Sequence, residues 1–415
     1  MTAKLLQRDD VLERFDADME PAARAHSNEP RKRNIRVAQR LVPKRWGSQL
    51  ALALTVLFVF GFVWRVNTSV RRALTAPTPV RETATSVRGR TELRHAKRFT
   101  LEYRADSKVV RVGEPGARSD SVYQLVPRGA RPSQLEAGAI VVEIPVRRVI
   151  ALSTIYAPAF VKLGVPETLV GIAGAKLLHT TELAALVQQG QVVEVSDGRS
   201  SMHQHLDMER IRELAPDLVL TSFFGDSGSK LREAGLPVVE SSEWLEATPL
   251  ARAEWIKLIA AFLDRELEGE VAFSAIEQRY ASRAARTRSV ERRPTVLCGM
   301  EQRGTWYVPG GQSYLATLIR DAGGHYLWDA DTHSASQPLK MEAVLSQARD
   351  AQVWLLHMSS VGSRQEMQEL DSRYALFGAF RTGMLYNSDV RVNAAGGNDF
   401  WENGVANPDL LLSDL

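Results

Sequence analysis

Several residue groups in this 415-residue sequence could do chemistry. Gly225-Asp226-Ser227-Gly228 sets a serine among small residues, as an exposed nucleophile requires. No His/Asp arrangement precedes it to serve as base and orienter, and a turn after a strand accounts for the segment. His203 and His205 flank Gln204 and put two imidazoles on one face of an extended chain, which suits zinc or copper. Two ligands do not make a site. His179, His333 and His357 have no spacing that completes one, so no metal site is expected. Cys298 lies in an apolar run and reads as an inert core thiol. Neither glycine-rich nucleotide-binding pattern is present, so any ATP use belongs to a partner. An acidic pair remains, Glu209 and Glu342, each directly after a methionine (Met208, Met341). In both cases an aspartate nine residues after the methionine, Asp217 or Asp350, introduces a β-type run. The echo points to two related lobes, against the alternative of chance between generic helix–strand junctions. No catalytic constellation, cofactor or nucleic-acid partner is expected.

Composition and charge narrow the setting of these residues. With 44% apolar and 24% charged residues, 28 Gly and 18 Pro, the chain is neither disordered throughout nor collagen-like, nor a multi-span membrane protein. Its one Cys excludes a disulfide scaffold. The formal charge of +3 is a cancellation: residues 1–90 hold 17 Lys/Arg against 8 Asp/Glu, and residues 91–415 hold 35 against 41. Trp46 to Trp64 is a run of nineteen residues without one ionisable side chain, long enough to cross a bilayer and ended by interface-seeking rings. Arg31, Lys32, Arg33, Arg36, Arg40, Lys44 and Arg45 precede it, and fewer basic residues follow, so the N-terminus should stay cytoplasmic and the body lie outside. With no small-x-small site close behind it and no lipobox Cys, an uncleaved anchor is preferred to a cleaved signal. The expected organisation is a polar tail (1–45), a transmembrane anchor (46–64), a linker (65–91), a β-rich segment (92–146), a first lobe (147–269), an inter-lobe helix (270–290) and a second lobe (291–415).

The elements that must position the acidic pair follow from periodicity. Phe99, Leu101 and Tyr103 alternate, a polar turn follows, and Val109, Val110 and Val112 resume, predicting a hairpin with a further strand over 121–126. Short β-branched runs then alternate with helical patterns. Strands are expected at 148–152, 168–172, 218–221, 236–239, 295–298 and 351–356, with helices at 208–215, 231–234, 314–322 and 341–347. Thr248 and Pro249 open a long helical stretch as cap and first residue, and its only glycine, Gly269, predicts a break between two helices. The fold class is α/β: two lobes, each with a central parallel sheet, joined by a long helix.

Across about 95–415 the sequence resembles the ABC-importer solute-binding proteins that take up iron–siderophore complexes, haem and cobalamin. The segments that carry the resemblance are Ile144–Thr154, Met208–Leu220, Thr248–Phe262, Gly304–Gly324 and Arg391–Leu415, in that order and spacing. The resemblance implies a bilobed fold, one rigid helix between the lobes, a ligand cleft and only modest closure. It implies an ABC permease with its ATPase as partner, a metal chelate as ligand, a monomeric binder and no enzyme activity. In this family each lobe offers an acidic residue to arginine pockets on the permease. The matching positions are Glu209 and Glu342, the latter more loosely because Val344 stands where the motif has Ile. The alternative is a pair of first-turn glutamates complementing helix dipoles. Relatives begin with a cleaved or lipidated signal and run on with a further helix after the Pro-Asp-Leu segment, so incomplete packing is expected at the end of the second lobe.

Cleft walls in such folds come from loops at the carboxyl ends of strands. These loops offer Tyr156, Phe224, Trp306 and Tyr307 to pack on a bulky chelate and Arg303 to pair with an anionic one. Trp306 and Tyr307 could equally belong to a structural hairpin. Gly396–Trp401 is family-like, without chemistry evident from the residues alone. The rival function is a membrane-anchored sensing or assembly module on the same fold.

Overall fold

A computed structural model of the chain describes residues 89–113, 121–197, 205–222, 227–357 and 361–415. The expected tail and anchor lie outside the described residues, as do most of the linker, Phe224 and His203. No helix among the described residues is long and apolar enough to cross a membrane.

The alternation that begins at Phe99 builds a sheet of β1 (Phe99–Tyr103), β2 (Lys108–Val112), β3 (Ser121–Pro127) and β4 (Ile140–Ile144), in that order. The first three strands are antiparallel, and β4 runs parallel to β3. Its apolar face seals the first lobe: the Phe99 ring lies 4.9 Å from Trp255, and Tyr123 lies 5.8 Å from Phe262.

The first lobe holds β5 (Val149–Ala151), β6 (Leu169–Ile172), β7 (Val193–Glu194), β8 (Leu218–Ser222) and β9 (Val238–Ser241). They form one parallel sheet in the order β7-β6-β5-β8-β9. Val149-Ile150-Ala151 is continuously apolar because both faces of a central parallel strand are covered. Ser153 Oγ accepts from the Ile155 amide at 3.4 Å and starts a tight turn at Thr154–Tyr156. From that turn runs α1 (Ala157–Lys162); α2 (Thr181–Gln188), α3 (Met208–Glu213) and α4 (Ser227–Glu233) follow.

Thr248 caps the next segment as expected, its Oγ1 accepting from the Ala251 amide at 3.2 Å. Three helices follow rather than two: α5 (Pro249–Ala253), α6 (Ile256–Leu263) and α7 (Glu266–Thr287). The break expected near Gly269 is corrected to Asp264, whose φ of +54° closes α6 in the left-handed region. Gly269 lies inside α7, where a Cβ would come within 2.7 Å of the Ala260 Cβ. The glycine lets α6 and α7 approach and does not end a helix. Phe273 and Ile276 of α7 join the first-lobe core, while Tyr280 and Ala284 join Tyr314, Leu318 and Leu411. The helix therefore crosses from one lobe to the other.

The second lobe contains β10 (Thr295–Cys298), β11 (Glu301–Gln302), β12 (Thr305–Val308), β13 (His325–Tyr326), β14 (Gln337–Leu339), β15 (Val353–Leu355) and β16 (Leu385–Tyr386). Its helices are α8 (Tyr314–Asp321), α9 (Met341–Ala348), α10 (Arg364–Leu370), α11 (Gly378–Thr382) and α12 (Pro408–Asp414). A parallel sheet has the order β13-β10-β15-β16, and β11-β12-β14 form an antiparallel one. The sequence echo has a structural counterpart. α3 leads into β8, which pairs with β5, and α9 leads into β15, which pairs with β10. Each unit thus sits beside the first strand of its own sheet. Val296, Val353, Leu355, Ile319 and Leu411 line a groove of about 800 Å³ along this sheet.

Candidate functional site

Parallel strands deliver their following loops to one edge of a sheet, where ligands of α/β proteins bind. At that edge of the first lobe, Tyr156, Leu220, Ser241 and Glu243 meet Lys162, Arg252 and Trp255 around a cavity of about 50 Å³. Val405 and Ala406, from the last segment of the chain, close it. The Tyr156 hydroxyl is buried without a hydrogen-bond partner among the described residues, and burial pushes its pKa up. Arg252 is 8% exposed, lies 4.7 Å over the Tyr314 ring, and its Nε has no acceptor among the described residues. Burial pushes the Lys162 ammonium down, and its Nζ donates to Asn407 Oδ1 at 2.6 Å. Glu243 accepts from Ser241 Oγ. Two cations, a phenol and a carboxylate therefore face one small space. It is large enough for a water or two and far below the several hundred Å³ of an organic-ligand pocket.

On the second-lobe side, His357 lies two residues beyond β15, held at a φ of +57°. Its ring packs edge-on against Phe400 at 4.4 Å and Trp401 at 5.0 Å. Burial pushes the imidazole down to about 4, so it is neutral at physiological pH and able to donate or accept. The turn Phe400–Gly404 packs in turn on Thr154–Tyr156, so the strand ends of both lobes converge on it.

The residues expected at the site are spread unevenly. Tyr156 lines the cavity. Phe224 lies outside the described residues. Arg303 is exposed at the tip of the β11–β12 hairpin, and Tyr307 is half-buried on β12 with its backbone paired to Pro338. The expectation that Trp306 walls the cleft is corrected. It is fully buried, stacks on Trp354 at 5.5 Å and donates its indole N–H to the Cys298 carbonyl at 2.9 Å. On a strand with period-two alternation, Trp306 and Val308 take the core face and Tyr307 takes the other. Glu209 and Glu342 are both exposed in the first turns of α3 and α9, and Glu342 Oε1 meets Arg373 Nη1 at 3.4 Å. His205 is exposed, and no group of three metal-ligating side chains is clustered among the described residues.

Residues 149–389 match the family described as periplasmic binding protein, more than half of the chain. The chain belongs to the periplasmic binding protein family. An uncharacterised lipoprotein of Methanocaldococcus jannaschii is 27% identical over 232 residues, 55% of this chain and 52% of its own length. A second lipoprotein of that organism is 26% identical over 287 residues, 65% of this chain and 71% of its own. The chain thus spans about half the length of the first of these relatives. The crystal structure of a possible iron-binding (periplasmic solute-binding) protein from Staphylococcus epidermidis superimposes with a TM-score of 0.51 at 15% identity. That match covers 65% of this chain and 97% of the other, a likeness of fold. Neither the family description nor that neighbour's names an enzyme activity.

Residues that sequence reasoning passed over also sit here. His357 lay in a strand-end loop, but nothing in its spacing singled it out. Glu402, Asn393 and Asn407 gave no signal beyond belonging to a family-like run. Their partners in the first lobe lie more than 200 positions earlier.

Proposed function

We propose that this periplasmic binding protein is the extracytoplasmic solute-binding component of an ABC import system. It captures a metal chelate between its lobes, an iron–siderophore complex foremost with cobalamin or haem as alternatives, and hands it to a permease driven by a separate ATPase. The observation that carries the reading is the equivalence of Glu209 and Glu342. Each is an exposed carboxylate in the first turn of a helix that leads into the strand beside its lobe's first strand. A pair so placed can dock on two fixed guanidinium pockets and report the separation of the lobes. Tyr156 of the first lobe, Tyr307, Arg303 and His357 of the second, and Phe224 serve as ligand contacts, while the buried Trp306 packs in the core beneath β12. Residues 46–64 hold the body to the outer face of the membrane.

Uptake of a labelled ferric siderophore, haem or cobalamin by cells lacking the protein tests this reading. The wild-type chain should restore uptake of one of them. The Glu209→Ala/Glu342→Ala chain should restore none while keeping wild-type affinity. Full uptake by the double variant removes the docking role, and no deficit for any of the three in cells lacking the protein removes the import function.

A further inference from the structure

The amino end of α2 in the first lobe has amides that its own residues leave without a cap. Thr180, at the cap position, makes no side-chain hydrogen bond to the helix. The amide of Thr180 itself, and that of His179 before it, also have no acceptor within the helix. The acceptor is Glu402, from the segment that follows the last strand of the second lobe. Its carboxylate takes the His179 amide at 3.0 Å, the Thr180 amide at 2.6 Å and the Thr180 hydroxyl at 2.6 Å, and it is 1% exposed.

Neighbouring contacts repeat the connection. Asn393 Nδ2 donates to the carbonyls of Lys176 at 3.1 Å and Leu178 at 3.3 Å, and His179 Nε2 lies 2.8 Å from the Gly397 carbonyl. A Cβ at Gly397 would lie 2.2 Å from the Leu177 carbonyl oxygen, so only glycine allows this approach. The same segment is fixed to the second lobe. Phe400 and Trp401 pack on His357, and Arg391 bridges Asp399 and Asp414 at 3.0 and 2.8 Å.

We propose that Glu402 is a latch between the lobes: by capping a first-lobe helix from a second-lobe segment, it sets with α7 the separation of the lobes. Two ties, one a helix and one a buried carboxylate, restrict relative motion to a rotation about the line through both. The run Gly396–Glu402 then has a mechanical purpose. The glycines permit contact, the aromatic pair anchors the segment, and the glutamate fastens it. This inference stands whether or not the ligand is a metal chelate.

The test uses the full chain without ligand, spin-labelled at Glu213→Cys on α3 and Gln368→Cys on α10, both exposed. The native Cys298 is buried, and its thiol is pushed up by burial, so it stays unlabelled. Pulsed electron resonance should give one narrow distance distribution with Glu402 intact. Glu402→Ala should broaden or shift that distribution and speed hydrogen exchange at the His179 and Thr180 amides at least tenfold. Gly397→Ala, which wedges the segment off α2, should do the same. Unchanged exchange overturns the proposal. Faster exchange with an unchanged distribution also overturns it, because Glu402 is then a cap and not a latch. If Glu402→Ala does not fold, Thr180→Val and Gly397→Ala carry the same two measurements.

Discussion

At Gly269 two effects oppose each other when a methyl group is added. Replacing glycine by alanine inside a helix favours the helix by about 1 kcal/mol. The new Cβ, however, would sit 2.7 Å from the Ala260 Cβ and force α6 and α7 apart. Overpacking of that kind costs about 1–3 kcal/mol, so the clash wins. Gly269→Ala should therefore lower the thermal unfolding midpoint by several degrees; a raised midpoint would show that the helices have room. Trp306 offers a second comparison. Buried against Trp354, Tyr374 and Phe377, it should cost about 3–5 kcal/mol on replacement by alanine, read from denaturant titration. Its residue type was equally suited to a ligand wall. Alternation along β12 separates Trp306 from Tyr307 but does not say which face is inside, because that depends on strands and helices distant in sequence.

Among the elements, the stretch over 91–98 and the two helices beneath it form an ionic unit. The amides of Arg94, His95 and Ala96 donate to Glu254, those of Lys97 and Arg98 to Glu246. Lys257 joins Glu254 at 2.9 Å, Glu270 at 2.8 Å and the Glu92 carbonyl at 2.6 Å. Glu254 and Lys257 have no exposed surface. Lys257→Met would leave Glu254 as a buried charge short of its counter-ion, and about 3–5 kcal/mol of stability should be lost by denaturant titration. A loss under 1 kcal/mol would mean that the amides alone satisfy Glu254. The unit also carries a pH signature. Burial would push Glu270 up, but hydrogen bonds from Lys257, Thr91 and Arg94 outweigh it and hold the carboxyl down to about 2. The unfolded chain then binds the extra proton first, so Glu270 adds stability above its ordinary value of 4.5 and loses it as pH falls from 4.5 toward 2. Glu266 and Glu402, pushed up by burial, act with the opposite sign. The difference between wild type and Glu270→Gln isolates the effect, and it should shrink across that window. Strands, caps and the long helix were legible because period and cap chemistry are local. This unit was not, since Glu254 and Lys257 three residues apart look like an ordinary solvated helix pair.

For the whole molecule, the cavity of about 50 Å³ belongs to the first lobe and is closed by Val405 and Ala406 of the last segment, whereas a metal chelate needs several hundred. Capture of the proposed chelate at this cavity would need the lobes to rotate apart about α7 and the Glu402 contact. The two-lobe plan was legible from the repeated Met-Glu helix and strand, since each copy carries its own short-range pattern. The surface where the lobes touch was not, because it pairs residues such as Thr180 and Glu402, 222 positions apart, that no local pattern connects. Trp255 lines the first-lobe cavity and Trp401 packs on His357 at the second-lobe groove, so intrinsic fluorescence reports on the strand ends of both lobes. The most direct test of the central claim is a fluorescence titration of the full chain with ferric siderophores, haem and cobalamin. Saturable quenching by one of these chelates, accompanied by a raised unfolding midpoint, is expected. Neither quenching nor a stability shift with any of the three would contradict the claim.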